Sequence, residues 1–482
     1  MIRLSAIPFA GALAFALVLA SSDASSATIQ IVNGDAPNKG LNDPTPVMPV
    51  DGNPGTTLGA QRLALFQHAA QIWGSKIESM VPIRVHVSFP EEGFGCAVTP
   101  GDFVYLGFAG PMSVWYNFLN APRPNVLYPV ALRNALAGDT MQPETPEIQA
   151  QFNPKMDVTP GCLTNYNGFW YGLNPAVAPP DDRFPLLPLV LHELTHGLAS
   201  YTATNLTSGE QFLDTPTVYD LFLFDLQQAR FWDQMSNAQR AASATNDPNL
   251  VWAGGHVQRA LPAYVRPPLR LRSGAAPLAG VVQPATYGAL VPRGGLSGQV
   301  VAAIPAEGCA PLSNAAQVAG RIVLIDRGSC QFHVKSRHAE QAGAIAVMIG
   351  NVEPEGGTAV PILSGNDYTL ARPSVALAHA LAQQVKAQIQ AAPGTVFTLD
   401  FIPGQPDAGS RGGMAQIHAP GTLSSASSVM HFSTAARGRM LMLPSINTAL
   451  FDRLDLSPDL LRDIGWTLAP GVGHSVFFDD FE

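Results

Sequence analysis

At 482 residues the chain is too long for one typical domain, and two or three are expected. Only 13% of its residues are charged and 46% are hydrophobic, which excludes a disordered chain, while 44 glycines and 42 prolines make it rich in loops. The formal net charge of -9 excludes a general affinity for nucleic acid or for an anionic membrane surface.

Residues 1–27 read as a secretory signal. Arg3 gives the positive start, Ile7 to Ala20 the apolar run, and Ser25-Ser26-Ala27 a small-residue cleavage site. That run is shorter than the roughly 20 residues that cross a bilayer, and nothing later in the chain is long and apolar enough to span. The mature protein is therefore expected to be soluble and secreted, extracellular or periplasmic, with no membrane span.

A lead rich in Gly, Pro and Asn runs from Asn33 to Thr57 and reads as loop. Leu58 to Met80 then carries Leu65, Phe66, Ala69, Ala70, Ile72, Trp73 and Ile77 at three and four spacing, which predicts a helix. Ile83, Val85, Val87 and Phe89 alternate within Pro82 to Phe89, which predicts a half-buried strand. Val104 to Phe108 reads as a further strand and Val130 to Leu136 as a short helix. Phe169 to Leu173 is an aromatic-rich strand, read either as core or as an edge open to an extended peptide.

Next comes Leu187-Pro188-Leu189-Val190-Leu191-His192-Glu193-Leu194-Thr195-His196-Gly197-Leu198, which holds H-E-x-x-H. On a helix, His192 and His196 point from one face and can share one zinc ion, while Glu193 sits where it can polarise a metal-bound water. The segment is otherwise almost wholly apolar, so the polar trio is expected to be buried. A buried Glu between two buried His is costly unless a cation offsets it. The pattern points to metal-assisted hydrolysis.

Beyond it, Thr217 to Trp232 has helical spacing through Val218, Leu221, Phe222, Phe224, Leu226 and Phe231, and Asn246 to Arg272 reads as irregular. From residue 273 the texture changes. Arg321 to Gly328 and Ala344 to Ile349 are buried strands and Phe332 to Ala342 is an amphipathic helix; Ser374 to Leu377 and Ala380 to Ala391 repeat that order. Gly308-Cys309-Ala310-Pro311, Gly320 through Phe332, Lys335, Ala339, Ala342-Gly343-Ala344 and Asn351 resemble the protease-associated (PA) domain. The resemblance implies contact with substrate or partner and no chemistry of its own.

A catalytic zinc usually has three protein ligands, so a third is needed. The compact metzincin pattern places Gly three residues and His six residues after the second His, where this chain has Ala199 and Thr202. A thermolysin-like arrangement would draw on an acid such as Asp220, with Asp214 and Asp225 nearby. The other candidate is His431 in Ser427-Ser428-Val429-Met430-His431-Phe432, with Met442 eleven residues on and Pro444 after it. This resembles the leishmanolysin group of metzincins, in which such a segment carries the third His and a Met turn follows. Phe432, where Trp is commoner, and Ala199 depart from that pattern. Leu456 to Trp466 also resembles the end of such catalytic domains.

The resemblance implies an α+β fold, a metzincin-like zinc-protease catalytic domain split by an inserted small α/β PA domain. Its parts are a signal over 1–27, catalytic residues 28–272, the insert 273–403, catalytic residues 404–470 and a tail over 471–482. Four cysteines allow three pairings; Cys96 with Cys162 and Cys309 with Cys330 keeps each pair within one domain. The expected activity is peptide-bond hydrolysis by one zinc on His192, His196 and His431, with Glu193 as general base and protein or peptide substrates. The competing readings are a catalytically inactive secreted binding or adhesion protein that uses the PA domain, and the thermolysin-like protease with Asp220 as ligand.

Overall fold

The computed structural model describes residues 26–97, 104–198, 200–352, 359–424, 427–437 and 439–471. Most of the signal reading, the tail beyond Gly471 and the Ala199 departure lie outside them. The expected first helix, α1, runs over Leu58–Gly74, where the Thr57 side chain accepts from the Ala60 N–H at its start. It stops six residues before Met80, because Ile77 and Glu78 leave it to form bridges with Leu468 and Ser26.

Strand β1 (Ile29–Asn33) pairs in parallel with β2 (Ile83–Ser88), whose inward residues Ile83, Val85 and Val87 are at most 1% exposed. Strands β3 (Gly107–Pro111) and β4 (Ile148–Phe152) complete a sheet in the order β1-β2-β4-β3, with β3 antiparallel at its edge. The strand expected at Val104 to Phe108 is therefore shifted towards the C-terminus, since its position is set by the ladder to β4. Phe169–Trp170 pairs in parallel with Phe184–Pro185 and lies outside this sheet, so β3 is the edge beside the histidine motif.

The expected short helix is α2 (Val130–Ala137), and the H-E-x-x-H segment is α3 (Leu186–Leu198), all of whose residues are buried. Helix α3 packs on β3, β4 and α1. Gly197 permits this approach: a Cβ there would stand 2.3 Å from the Ile148 Cγ2.

Two expectations fail beyond α3. Thr217 to Trp232 is no helix but a 3-10 turn at Asp220–Phe222 followed by a hairpin of Leu223–Asp225 and Arg230–Phe231. Asp225 turns the chain by accepting the N–H groups of Gln227 and Gln228, and Phe224 meets Phe231 across the strands, ring centroids 4.9 Å apart. The stretch from Asn246 is not irregular either. It holds a strand at Leu250–Trp252 and a helix at Gly255–Tyr264 whose Pro262 falls in the last turn. Leu250–Trp252 pairs with Met414–Gln416, so residues from both sides of the 273–403 stretch join one five-stranded sheet.

Between them lies an eight-stranded sheet. Its middle strands Ile322–Asp326, Ala346–Gly350 and Ser374–Leu377 are parallel. They alternate between two apolar cores: Ile322, Leu324, Ala346 and Met348 face one, and Val323, Ile325, Val347 and Ile349 the other. Leu269–Ser273 pairs with both Val282–Pro284 and Val396–Phe401, which closes the sheet on itself. The disulfides are Cys96–Cys162 and Cys309–Cys330, the pairing that the sequence favours. No helix among the described residues is long and apolar enough to cross a membrane.

Candidate metal centre

One turn of α3 separates His192 from His196, and both rings project from its buried face. The structure brings His431 to them. The three Nε2 atoms form a triangle with edges of 3.1, 3.2 and 3.2 Å, and each residue is at most 7% exposed. Among the described residues these three form the one group of His, Cys, Asp or Glu arranged to hold a metal ion.

Each ring is held from behind. His192 Nδ1 donates to the Leu441 carbonyl at 2.7 Å, His196 Nδ1 to Ser200 at 2.7 Å and His431 Nδ1 to Ser427 at 2.8 Å. A carbonyl only accepts, so in every ring the proton sits on Nδ1 and the lone pair of Nε2 points at the other two. Burial lowers His192 to about 3 and His196 to about 4, and holds His431 well below its usual value. Neutral rings with three converging lone pairs repel one another unless a cation lies between them. Nitrogens about 2.0–2.1 Å from a tetrahedral zinc stand about 3.3 Å apart, which the observed triangle fits.

Glu193 is 5% exposed, and burial pushes its carboxyl up to about 8 against a hydrogen bond from the Ala109 N–H. Ala109 belongs to the edge strand β3, so the carboxyl sits between α3 and the open side of the sheet.

The supports behind the rings give several residues a part that sequence reasoning does not assign to them. Leu441 donates its N–H to the carboxylate of Asp455, which also receives the Leu456 N–H. Ser200 donates its hydroxyl to Met430 at 3.0 Å, and the Tyr219 hydroxyl donates to Val429 at 2.9 Å. Trp73 and Trp466 donate their indole N–H groups to Leu191 and Leu198 on α3. Met442 is fully buried, and its carbonyl accepts the Phe432 N–H at 2.7 Å. The acceptors behind the rings are main-chain carbonyls, which leave no mark in a sequence; Asp455 and the tryptophans do, but only as isolated residues.

Asp220 is not brought to the cluster. Thr202 and Thr204 donate their hydroxyls to it and Thr217 donates its N–H, so its oxygens serve to fold the loop after α3. Asp225 is likewise occupied, by the N–H groups of its own turn and by Asn246. The acidic third ligand has no support in this geometry.

Comparison with known proteins bears first on the closed sheet. The family model described as the PA domain matches residues 296–385. This part of the chain is a PA domain. The chain is also similar to "Signal peptide peptidase-like 2" of Arabidopsis thaliana, 41% identical over 56 residues, which are 12% of this chain and 10% of that protein. It is likewise similar to the human "ER degradation-enhancing alpha-mannosidase-like protein 3", 38% identical over 66 residues, 14% of this chain and 7% of that protein. The chain thus spans about a tenth or less of the curated relatives it matches.

Among solved structures, a zinc aminopeptidase from Bacillus subtilis is 24% identical with a TM-score of 0.23, covering 31% of this chain and 37% of that one. An aminopeptidase from Aneurinibacillus sp. strain AM-1 is 17% identical with a TM-score of 0.23, covering 41% and 43%. Overlaps this loose say nothing about the histidine cluster, and none of the matched PA residues belongs to it.

Proposed function

We propose that the chain is an exported zinc endopeptidase of the leishmanolysin-like metzincin type. Its catalytic body would comprise residues 28–272 and 404–470, and its metal ligands would be His192, His196 and His431. The observation that carries this reading is the triangle of Nε2 lone pairs, each ring fixed by a carbonyl behind it. The burial of Met442 eleven residues after His431, and its link to Phe432, support the metzincin type. Two disulfides support an oxidising compartment.

Bound zinc would supply a Lewis acid for the scissile carbonyl and bring the pKa of a bound water down towards about 7. Glu193 takes a proton on its carboxylate from the attacking water and passes it to the leaving amine. The value of about 8 is that of the metal-free chain, and a cation bound at the histidines would lower it and favour the carboxylate that takes the proton. The register of β3 with β4 directs the Ala109 N–H away from β4 and towards Glu193. Among the described residues no other strand pairs with that outer edge, which would let it align an extended peptide. The carbonyls of Leu441, Ser200 and Ser427 keep the ligand rings from turning as substrate enters.

The test is Glu193→Gln. The variant is expected to keep one zinc per chain and to lose at least a hundredfold in casein hydrolysis; full activity would refute the assignment of Glu193. Loss of wild-type activity in a chelator, restored by zinc, checks the metal.

A further inference from the structure

Two of the places where the PA domain touches the rest of the chain adjoin the histidine cluster; a third joins Arg293 to Asp407 and to the Pro262 and Val265 carbonyls. The first is the run just before α3. Tyr368 donates its hydroxyl to the Val177 carbonyl at 2.6 Å, and Asn366 donates to Pro180 at 3.0 Å and Arg183 at 2.9 Å. Asp181 accepts from His333 Nε2 at 3.0 Å and from Arg337 at 3.1 Å. Three residues after Arg183, α3 begins.

The second place is the run that carries Leu441, the carbonyl behind His192. Arg439, two residues earlier, donates to the carbonyls of Ala285, Tyr287 and Gly288 at 2.6–2.8 Å. Asn447 donates to Thr286 at 2.9 Å and Thr448 to Gly365 at 3.0 Å. Ala449 is part of the apolar core of the eight-stranded unit, and Tyr368 packs on Phe451 with ring centroids 4.5 Å apart.

These contacts are unlike those of a domain on a tether. An interface that served only to carry a recognition module could sit anywhere on the body, and domain interfaces within a chain generally permit relative motion. Here one module grips both the entry to α3 and the loop that orients His192. The Arg439 guanidinium is spent wholly on main-chain carbonyls among the contacts named, which fixes the shape of a loop at the cost of burying a charge.

We infer that the PA domain is a brace for the metal centre, with Asp181 and Arg439 as positioning residues that hold α3 and the Leu441 carbonyl in register. The inference rests on the histidine cluster being a metal site, and it assigns the inserted domain a part in metal retention besides any contact with substrate. Loosening either grip lets the His192 ring turn off its carbonyl, so affinity for metal falls while the ligands themselves remain.

The experiment measures zinc affinity of the full-length protein by competition with a chromophoric chelator, and the visible spectrum of the cobalt-substituted protein. Asp181→Asn and Arg439→Met are each expected to weaken zinc binding about tenfold or more, the range for lost supports behind a metal ligand, and to alter the cobalt bands. Asp400→Asn is the control. It breaks the Arg270 and Arg272 ion pairs within the eight-stranded unit, away from both grips, and is expected to leave zinc affinity unchanged. Wild-type affinity in folded Asp181→Asn overturns the brace, as does an equal loss in Asp400→Asn; should Arg439→Met not fold, Asp181→Asn decides alone. Absence of zinc binding by the unaltered protein would overturn the metal reading itself, a result distinct from tight binding that the variants share.

Discussion

Without a bound metal, the four buried groups of the histidine cluster should make the stability of this protein depend on pH. In the folded, metal-free chain His192 and His196 take up protons only near about 3 and 4, and His431 well below its usual value; unfolding returns all three to about 6.5. The unfolded state then binds more protons below about 6.5, so stability falls as the pH falls through that window. Each histidine contributes a loss of roughly 1.5–2 kcal/mol between pH 6.5 and 5. Glu193 works the other way. Its folded pKa of about 8 lies above the unfolded value of 4.5, so it stabilises at low pH and that contribution is lost as pH rises towards 8. Acidification from pH 6.5 to 5 should therefore cost the metal-free wild type about 3 kcal/mol net, and Glu193→Gln about 5 kcal/mol. From pH 6.5 to 8 the three histidines return about 1 kcal/mol while Glu193 loses about 1.5, so the wild type should lose about 0.5 kcal/mol and the variant gain about 1 kcal/mol. Urea unfolding of both chelated proteins at pH 5, 6.5 and 8 reads these differences directly. Parallel curves for the two proteins would refute the argument, because they would mean that Glu193 is not held neutral by burial.

Gly197→Ala should destabilise the protein by about 1–3 kcal/mol, since the new methyl meets Ile148 Cγ2 at 2.3 Å, and thermal melts of the variant would show it. Asp220→Asn should lower stability by about 1–3 kcal/mol through lost acceptors for Thr204 and Thr217 and leave zinc stoichiometry unchanged. Metal loss in that variant, measured by elemental analysis, would revive the acidic-ligand reading.

How much could be read in advance differs from place to place for physical reasons. The strands Ile322–Asp326 and Ala346–Gly350 are legible because buried parallel strands appear as unbroken apolar runs between turns. Strand β4, Ile-Gln-Ala-Gln-Phe, alternates just as clearly, with Ile148, Ala150 and Phe152 inside, but Ala and Gln are poor strand formers and the signal is short. Thr217 to Trp232 misleads because apolar residues three and four apart fit a helix face and a tight aromatic hairpin equally; the turn at Ala229, with φ of 52°, decides it. For the site, the one-turn spacing of His192 and His196 can be seen in the letters. The approach of His431 to 3.1 Å of His192 depends on a fold that spans 239 residues, and the carbonyls behind the rings belong to no residue type.

The strands by which the eight-stranded unit leaves and rejoins the chain, Leu269–Ser273 and Val396–Phe401, lie side by side, Arg270 opposite Asp400. That neighbourhood has a kinetic meaning. Until the eight-stranded unit folds, the pairing of Trp252 with Ala415 must close a loop of roughly 160 residues, and afterwards one of about 30, which makes closure easier by about 1.5 kcal/mol. Folding of the module first would thus shorten the search that carries His431 to α3, and would time the assembly of the histidine triangle to the late part of the chain's maturation.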